Sequence, residues 1–213
     1  MEGNVSESQI GKARRLSVLA LLVWFAAACI AGALGIVNEP GRPPLVLLSI
    51  FAVPILGFVT VYLTSASFRA FTEMIPMTLL VGSHLWRFVG VGFVLAWRAG
   101  LLPAGFGIPE GFGDIIAALG ALLLLPSLRR GTASRGWLLA WNTWGFLDLV
   151  SAITVGVLYS QSAVGVLSTP ASNTALMATF PVSLIPTFFV PLFLLVHALI
   201  FRRIAPAPRW AHA

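Results

Sequence analysis

Arg87 and Asp148 carry charge where the surrounding sequence offers nothing to solvate it. Each lies in the middle of a long apolar run, 77–97 for the arginine and 137–159 for the aspartate. A charge at the centre of a membrane-spanning helix costs about 2.5–3.5 kcal/mol on insertion scales, so it persists where it is paired or does work. Counted from the same end of the bundle, each is about ten residues deep, which at about 1.5 Å per residue puts both near mid-membrane. Asp148 is the only acid that the other runs offer at that depth, and the pair is expected to meet. Two kinds of chemistry follow: a structural ion pair that fixes helix register, or a site that binds a polar ligand or passes a proton.

Further polar residues gather around this centre. His84 precedes Arg87 by three residues and shares its helix face, with Glu73 on a similar stripe at the boundary. Asn142 matches the depth of His84, which predicts a second layer of His84 with Asn142 beneath Arg87 with Asp148. On an ideal helix positions 142 and 148 are about 240° apart, so both face inward only if that helix lies well inside the bundle or bends near Gly145. Asp114 opens a run of its own and has a structural explanation, since an acid in a helix's first turn complements the dipole. It is also a candidate ligand contact. Trp141 and Trp144, with Trp86 and Trp137, suit the walls of a cavity for a flat ligand such as a quinone; Trp137 also suits an interface anchor.

His84 and His197 are expected at comparable depth on different helices, the arrangement that a b-type haem with two axial histidines requires. His212 belongs to the tail. Other chemistries lack their residues. No lysine lies in any run, which excludes a retinal Schiff base and a phosphate-gripping lysine, and no HExxH, CxxC or GxSxG pattern occurs. The lone cysteine, Cys29, lies inside the first run and forms no internal disulfide. A metal site is not expected, and an enzyme is less expected than a binding or transport protein.

The elements that must position these residues are read from hydropathy. Of 213 residues 58% are hydrophobic and 9% charged, with a mean hydropathy of +0.95; too little polar surface remains to cover a water-soluble globule. The expectation is an all-α, polytopic bundle of about six spans, at 16–36, 45–64, 77–97, 112–128, 137–159 and 181–201. These form a single transmembrane domain, 14–204, between a disordered tail, 1–13, and a second tail, 205–213. Pro54 and Gly57 predict a kink or close helix approach in the second span, and Pro186 and Pro191 a bent or broken outer half in the sixth. Residues 100–113, GLLPAGFGIPEGFG, are too rich in Gly and Pro for a regular helix and are expected to dip back into the bundle. The first run competes with a signal peptide but is longer than the usual signal core, so it is read as retained.

The net charge of +6 comes from bases at the ends of apolar runs and signals membrane orientation, with no nucleic-acid partner implied. With the amino terminus inside, cytoplasmic segments collect Lys12, Arg14, Arg15, Arg69, Arg129, Arg130, Arg135, Arg202, Arg203 and Arg209, while the outer side holds Arg42 and Arg98. Both termini are therefore expected in the cytoplasm. Small residues, Gly32 with Gly35 and Gly90 with Gly92, suit packing within one chain or between subunits of a homo-oligomer or membrane complex.

Arg87, then Leu102 and Pro103, then Phe112, Asp114 and Ile115, and finally Phe180, Pro181, Pro186, Pro191 and His197 form a recognisable series. In these motifs the chain resembles a family of small uncharacterised bacterial multi-pass inner-membrane proteins. The resemblance covers roughly the carboxy-terminal half and implies that Arg87, Asp114 and His197 be tested as one set. The leading expectation is a protein in the bacterial inner (plasma) membrane that binds or translocates a small polar or protonatable ligand through its Arg/Asp/His/Asn cluster. The alternatives are a haem- or quinone-binding redox protein and an assembly subunit of a membrane complex.

Overall fold

The computed structural model describes residues 5–205. Of the expected tails, residues 1–4 and 206–213, with Arg209 and His212, lie outside the described part. The described part is mostly helical, with non-helical links between the spans and an isolated bridge between Thr169 and Ser172 as its one β-type pairing. Lipid offers no hydrogen bonds to a backbone, so apolar chain satisfies its own N–H and C=O groups as helix.

The elements are α1 (Glu7–Ala33), α2 (Leu45–Thr64), α3 (Ala66–Met74), α4 (Met77–Ser83), a 3-10 segment (His84–Val89), α5 (Gly90–Arg98), α6 (Ala104–Arg129) and α7 (Arg135–Leu158). A π-helical segment (Ile185–Phe189) then leads into α8 (Val190–Ile204). Among the described residues six stretches are long and apolar enough to cross a membrane; the third joins α4, the 3-10 segment and α5, and the sixth joins the π segment to α8. Successive spans alternate in direction. One end of the bundle carries Lys12, Arg14, Arg15, Arg69, Arg129, Arg130, Arg135, Arg202 and Arg203 and is called the basic end; the other, the loop end, carries Arg42 and Arg98. Links 34–44 and 159–184 meet at the loop end, where Gly41 N donates to Gln161 O and Ala163 N to Arg42 O.

Several expected boundaries move. Residues 7–13 are not a disordered tail: α1 starts at Glu7, with Ser6 and Gln9 forming a reciprocal capping box that satisfies the first free amides. Residues 104–113 are not irregular, because α6 runs unbroken from Ala104 through Pro109. Their glycines serve close packing. A Cβ on Gly107 would lie 2.6 Å from Trp97 Cβ, and one on Gly111 2.6 Å from Val94 Cγ2, so α6 lies directly on α5. The third span changes at its centre to the tighter 3-10 form, and the sixth is π-helical between Pro186 and Phe189, where the prolines remove backbone donors.

α6 is the hub, packed against α4, the 3-10 segment, α5 and α7, and its inward face is mostly Gly and Ala. Toward the basic end Leu80, Val81, Ala121, Leu125, Trp141 and Ile200 close an apolar core. Toward the loop end Phe93, Leu102 and Phe106 do the same. α2 is peripheral: it buries no residue, stays helical through Pro54, and Gly57 faces no neighbour within 4 Å. α1 is held by Trp24, whose Nε1 donates to Thr187 O at 3.0 Å, and by Gly32 against Phe180 and Ser183. Gly90 packs within the chain, whereas Gly92 meets nothing within 4 Å.

At the basic end Arg203 of α8 donates from Nη1 to Ile75 O at 2.5 Å and from Nη2 to Thr72 O, which otherwise accepts only from Ile75 N at 3.4 Å, and so caps the end of α3. Glu73 lies 3.7 Å from Arg203 Nε but is exposed, so the carbonyl bonds matter more. Arg203→Gln is expected to lower stability by about 1–2 kcal/mol and to raise amide hydrogen exchange within α3 while leaving α7 unchanged.

Candidate functional site

The site is set by the 3-10 segment. Three residues per turn bring His84 and Arg87 onto one line, and both are buried. Arg87 then spends its guanidinium on two other spans. Nε donates to Asp114 Oδ1 of α6 at 2.6 Å, Nη2 donates to Asp148 Oδ2 of α7, and Nη1 donates to Gly145 O of α7 at 3.0 Å. The expected Arg87 and Asp148 contact is present, and Asp148 is not the only acid at that depth. Asp114 lies about three turns into α6 instead of in its first turn, so it does not complement the helix dipole; Arg87 is what holds it. Asp114 and Asp148 are the only two aspartates in the chain, and both meet the same guanidinium.

Glycine makes this convergence sterically possible. A Cβ on Gly113 would overlap the Asp148 carboxylate, and one on Gly145 would lie 2.7 Å from His197 Cε1 and 3.0 Å from Arg87 Nη1. α7 needs no bend to turn Asn142 and Asp148 inward, because it is wedged between α6 and α8: Asp148 faces the Arg87 side, and Asn142 faces α8.

Asn142 pairs with His197, not with His84. Its Nδ2 donates to His197 O at 3.1 Å and its Oδ1 lies 2.8 Å from His197 Nδ1. Since the amide nitrogen serves a carbonyl, Oδ1 is the acceptor and Nδ1 of His197 carries the proton. His84 packs against His197 with ring centroids 4.2 Å apart and planes tilted by 37°, and is flanked by Trp141 and Phe193. Two axial ligands need a macrocycle between them, and rings in contact leave no room for one; the bis-histidine haem arrangement does not fit this geometry. Asn142→Leu removes both bonds from a fully buried place and is expected to cost about 1–3 kcal/mol, read as an earlier unfolding midpoint in an SDS titration of the detergent-solubilised protein.

Glu110 belongs to the centre and was not anticipated. It is buried one turn before Asp114, and Ser151 Oγ, one turn after Asp148, donates to its Oε1 at 2.9 Å. Its Oε2, both nitrogens of His84 and Nε2 of His197 are buried with no hydrogen-bond partner among the described residues. The signal that would have found Glu110 is its spacing of four from Asp114, which places both on one face once 104–113 is helical. Trp144 does not belong to the site. It points outward and is 48% exposed, while Trp141 is buried and donates from Nε1 to Ala117 O at 2.8 Å.

A cavity of about 220 Å³ connects the loop end to this centre. Its mouth is polar, with Asn38, Glu39, Ser160 and Gln161; its walls include Trp86, Phe93, Phe106 and Phe189; its floor is Arg87 and Asp114. Both irregular segments border it, the 3-10 segment through Trp86 and Arg87 and the π segment through Ile185, Pro186 and Phe189. Trp86 stacks on Phe189 across them, ring centroids 4.4 Å apart and planes 19° apart. His84 and His197 are not on the cavity's lining.

A sequence model described as a domain of unknown function, DUF8737, matches residues 44–205. The chain belongs to the DUF8737 family. The DUF8737 domain thus runs from α2 to the end of α8 and contains Arg87, Asp114, Asp148, Asn142 and both buried histidines. As the resemblance implied, the family is an uncharacterised one. α1 precedes the DUF8737 match, although Trp24 ties it to the π segment within that match. Neither curated proteins nor solved structures gave a match.

Proposed function

We propose that this is a multi-pass protein of the bacterial inner membrane that binds or translocates a small polar or protonatable ligand at the Arg87, Asp114 and Asp148 centre. The observation that carries the reading is the cavity, which runs from the loop end to a charged floor at mid-span. A structural ion pair needs no such access. The 3-10 segment of the third span and the π segment of the sixth both lie beside the cavity, where irregular geometry at membrane depth is covered by protein.

Orientation supports the same reading. The positive-inside rule puts the basic end, and with it both termini, in the cytoplasm, so the cavity opens to the outer side. Glu110 and the His84, His197 and Asn142 group lie behind the floor as a buried polar reserve for a proton or a ligand group that passes Arg87.

The test is a stability panel of small amines, carboxylates, zwitterions and sugars on the purified protein. A ligand at a hundred times its Kd stabilises by about 2.7 kcal/mol, so at least one class is expected to raise the melting temperature, and Asp114→Asn is expected to abolish that rise. If no class gives an Asp114-dependent shift, the ion-paired centre is structural, the protein is better read as an assembly subunit, and the proposal is lost.

A further inference from the structure

The charge balance of the floor goes further than the general reading, on which this inference rests. Arg87 is overmatched. Three of its five N–H donors serve Asp114, Asp148 and Gly145 O, and with both aspartates ionised the two carboxylates exceed the one guanidinium by one negative charge. Among the described residues no hydrogen bond reaches Asp114 Oδ2, and Asp114 borders the cavity. Arg87 is the only base among the described residues on the lining, whereas Glu39 and Asp114 are both acids. An anion entering here meets a guanidinium already paired with two carboxylates, beside the free oxygen of one of them. A neutral polar molecule meets walls with few hydrogen-bonding groups.

A cation with an apolar body meets the opposite situation. The walls present Phe51, Trp86, Phe93, Phe106, Phe189 and Phe193, and aromatic faces attract a desolvated cation. The volume of about 220 Å³ lies below the range of about 300–1,000 Å³ usual for drug-sized ligands, which restricts the occupant to a small molecule. We infer that the cavity takes a small lipophilic monocation, a protonated or quaternary amine, with its charged head at the free oxygen of Asp114 and its apolar part against Trp86 and Phe189.

The experiment compares benzyltrimethylammonium, benzenesulfonate and benzyl alcohol, three probes that share a ring and differ in charge, by isothermal titration calorimetry on the full-length protein in detergent. The expected result is saturable binding of the cation alone, weakened at least tenfold by Asp114→Asn and retained in Asp114→Glu. Trp86→Leu, a change of a half-exposed side chain that leaves the charged centre intact, is expected to weaken the cation about threefold or more. Should Asp114→Asn not fold, Trp86→Leu and Asp114→Glu still decide the matter. Saturable binding of the sulfonate or the alcohol in preference to the cation would overturn the cation assignment while leaving the cavity a ligand site. Cation binding indifferent to both Asp114 and Trp86 would overturn it by placing the site elsewhere. No saturable binding of any probe would overturn it together with the reading of the cavity as a binding site.

Discussion

Arg87→Met is expected to lower stability by about 3–5 kcal/mol, the cost typical of breaking a buried ion pair from one side. The methionine fills much of the space, so a cavity is not the main loss. What remains are two carboxylates on facing helices, both turned inward and both without the guanidinium that paired them. Gly145 O also loses its donor. Neutralising the acids as well separates charge from packing: in Arg87→Met/Asp114→Asn/Asp148→Asn the unpaired charges are gone, and more than half of the lost stability is expected to return. An SDS unfolding titration of all three proteins checks this, and a triple variant less stable than Arg87→Met alone would contradict it.

Gly90→Val is expected to be nearly as damaging, for a steric reason. A Cβ at residue 90 would lie 2.5 Å from Gly111 O and 2.6 Å from Asp114 Cβ. The first obstacle is backbone, so no rotamer change relieves it, and α5 must move off α6. Overpacking typically costs about 1–3 kcal/mol and more where the backbone must shift; here the upper part of that range is expected. The shift also pulls Asp114 away from Arg87, so ligand-dependent stabilisation is expected to vanish with the fold still helical. Gly92→Val is the matched control, because Gly92 faces nothing within 4 Å and its replacement is expected to change the unfolding midpoint little. Far-ultraviolet circular dichroism and the unfolding titration measure both variants.

What was legible in the sequence follows from how strongly lipid constrains a chain. Six long apolar runs, and a guanidinium that must find an acid, are consequences of excluding water, and they can be read without coordinates. Glycine and proline misled for the same reason. In water GLLPAGFGIPEGFG would resist forming a helix, but next to another span the missing side chains are what allow α5 and α6 to touch, and the backbone has no other donor or acceptor to turn to. Reading that stretch as irregular hid Glu110 and placed Asp114 at a helix start, which removed two of the three acids from the centre.

Depth alone also could not say which neighbour a polar group chooses. His84 and Asn142 both contact His197, yet Asn142 turns to α8 instead of pairing with His84, because α7 is flanked on both sides and its two polar residues point to different partners. His84 meets His197 from the start of the 3-10 segment, and nothing in the periodicity of 77–97 announces a change of helix type there. Trp144 illustrates the limit from the other side. An aromatic near a polar centre in sequence is as readily a lipid-facing residue, and only the rotation of α7 decides between them.

The central claim is that one guanidinium gathers both aspartates of the chain at mid-span. Magic-angle-spinning NMR on the protein in lipid, with 15N-labelled arginine and aspartate labelled with 13C at the side-chain carboxyl, measures it directly, since Asp114 and Asp148 are the only aspartates. Dipolar dephasing is predicted for both carboxyl signals at hydrogen-bond distance from a guanidinium nitrogen, each lost in turn in Asp114→Asn and Asp148→Asn, and both lost in Arg87→Met. A spectrum in which either carboxyl shows no coupling to arginine, or keeps its coupling without Arg87, would contradict the account.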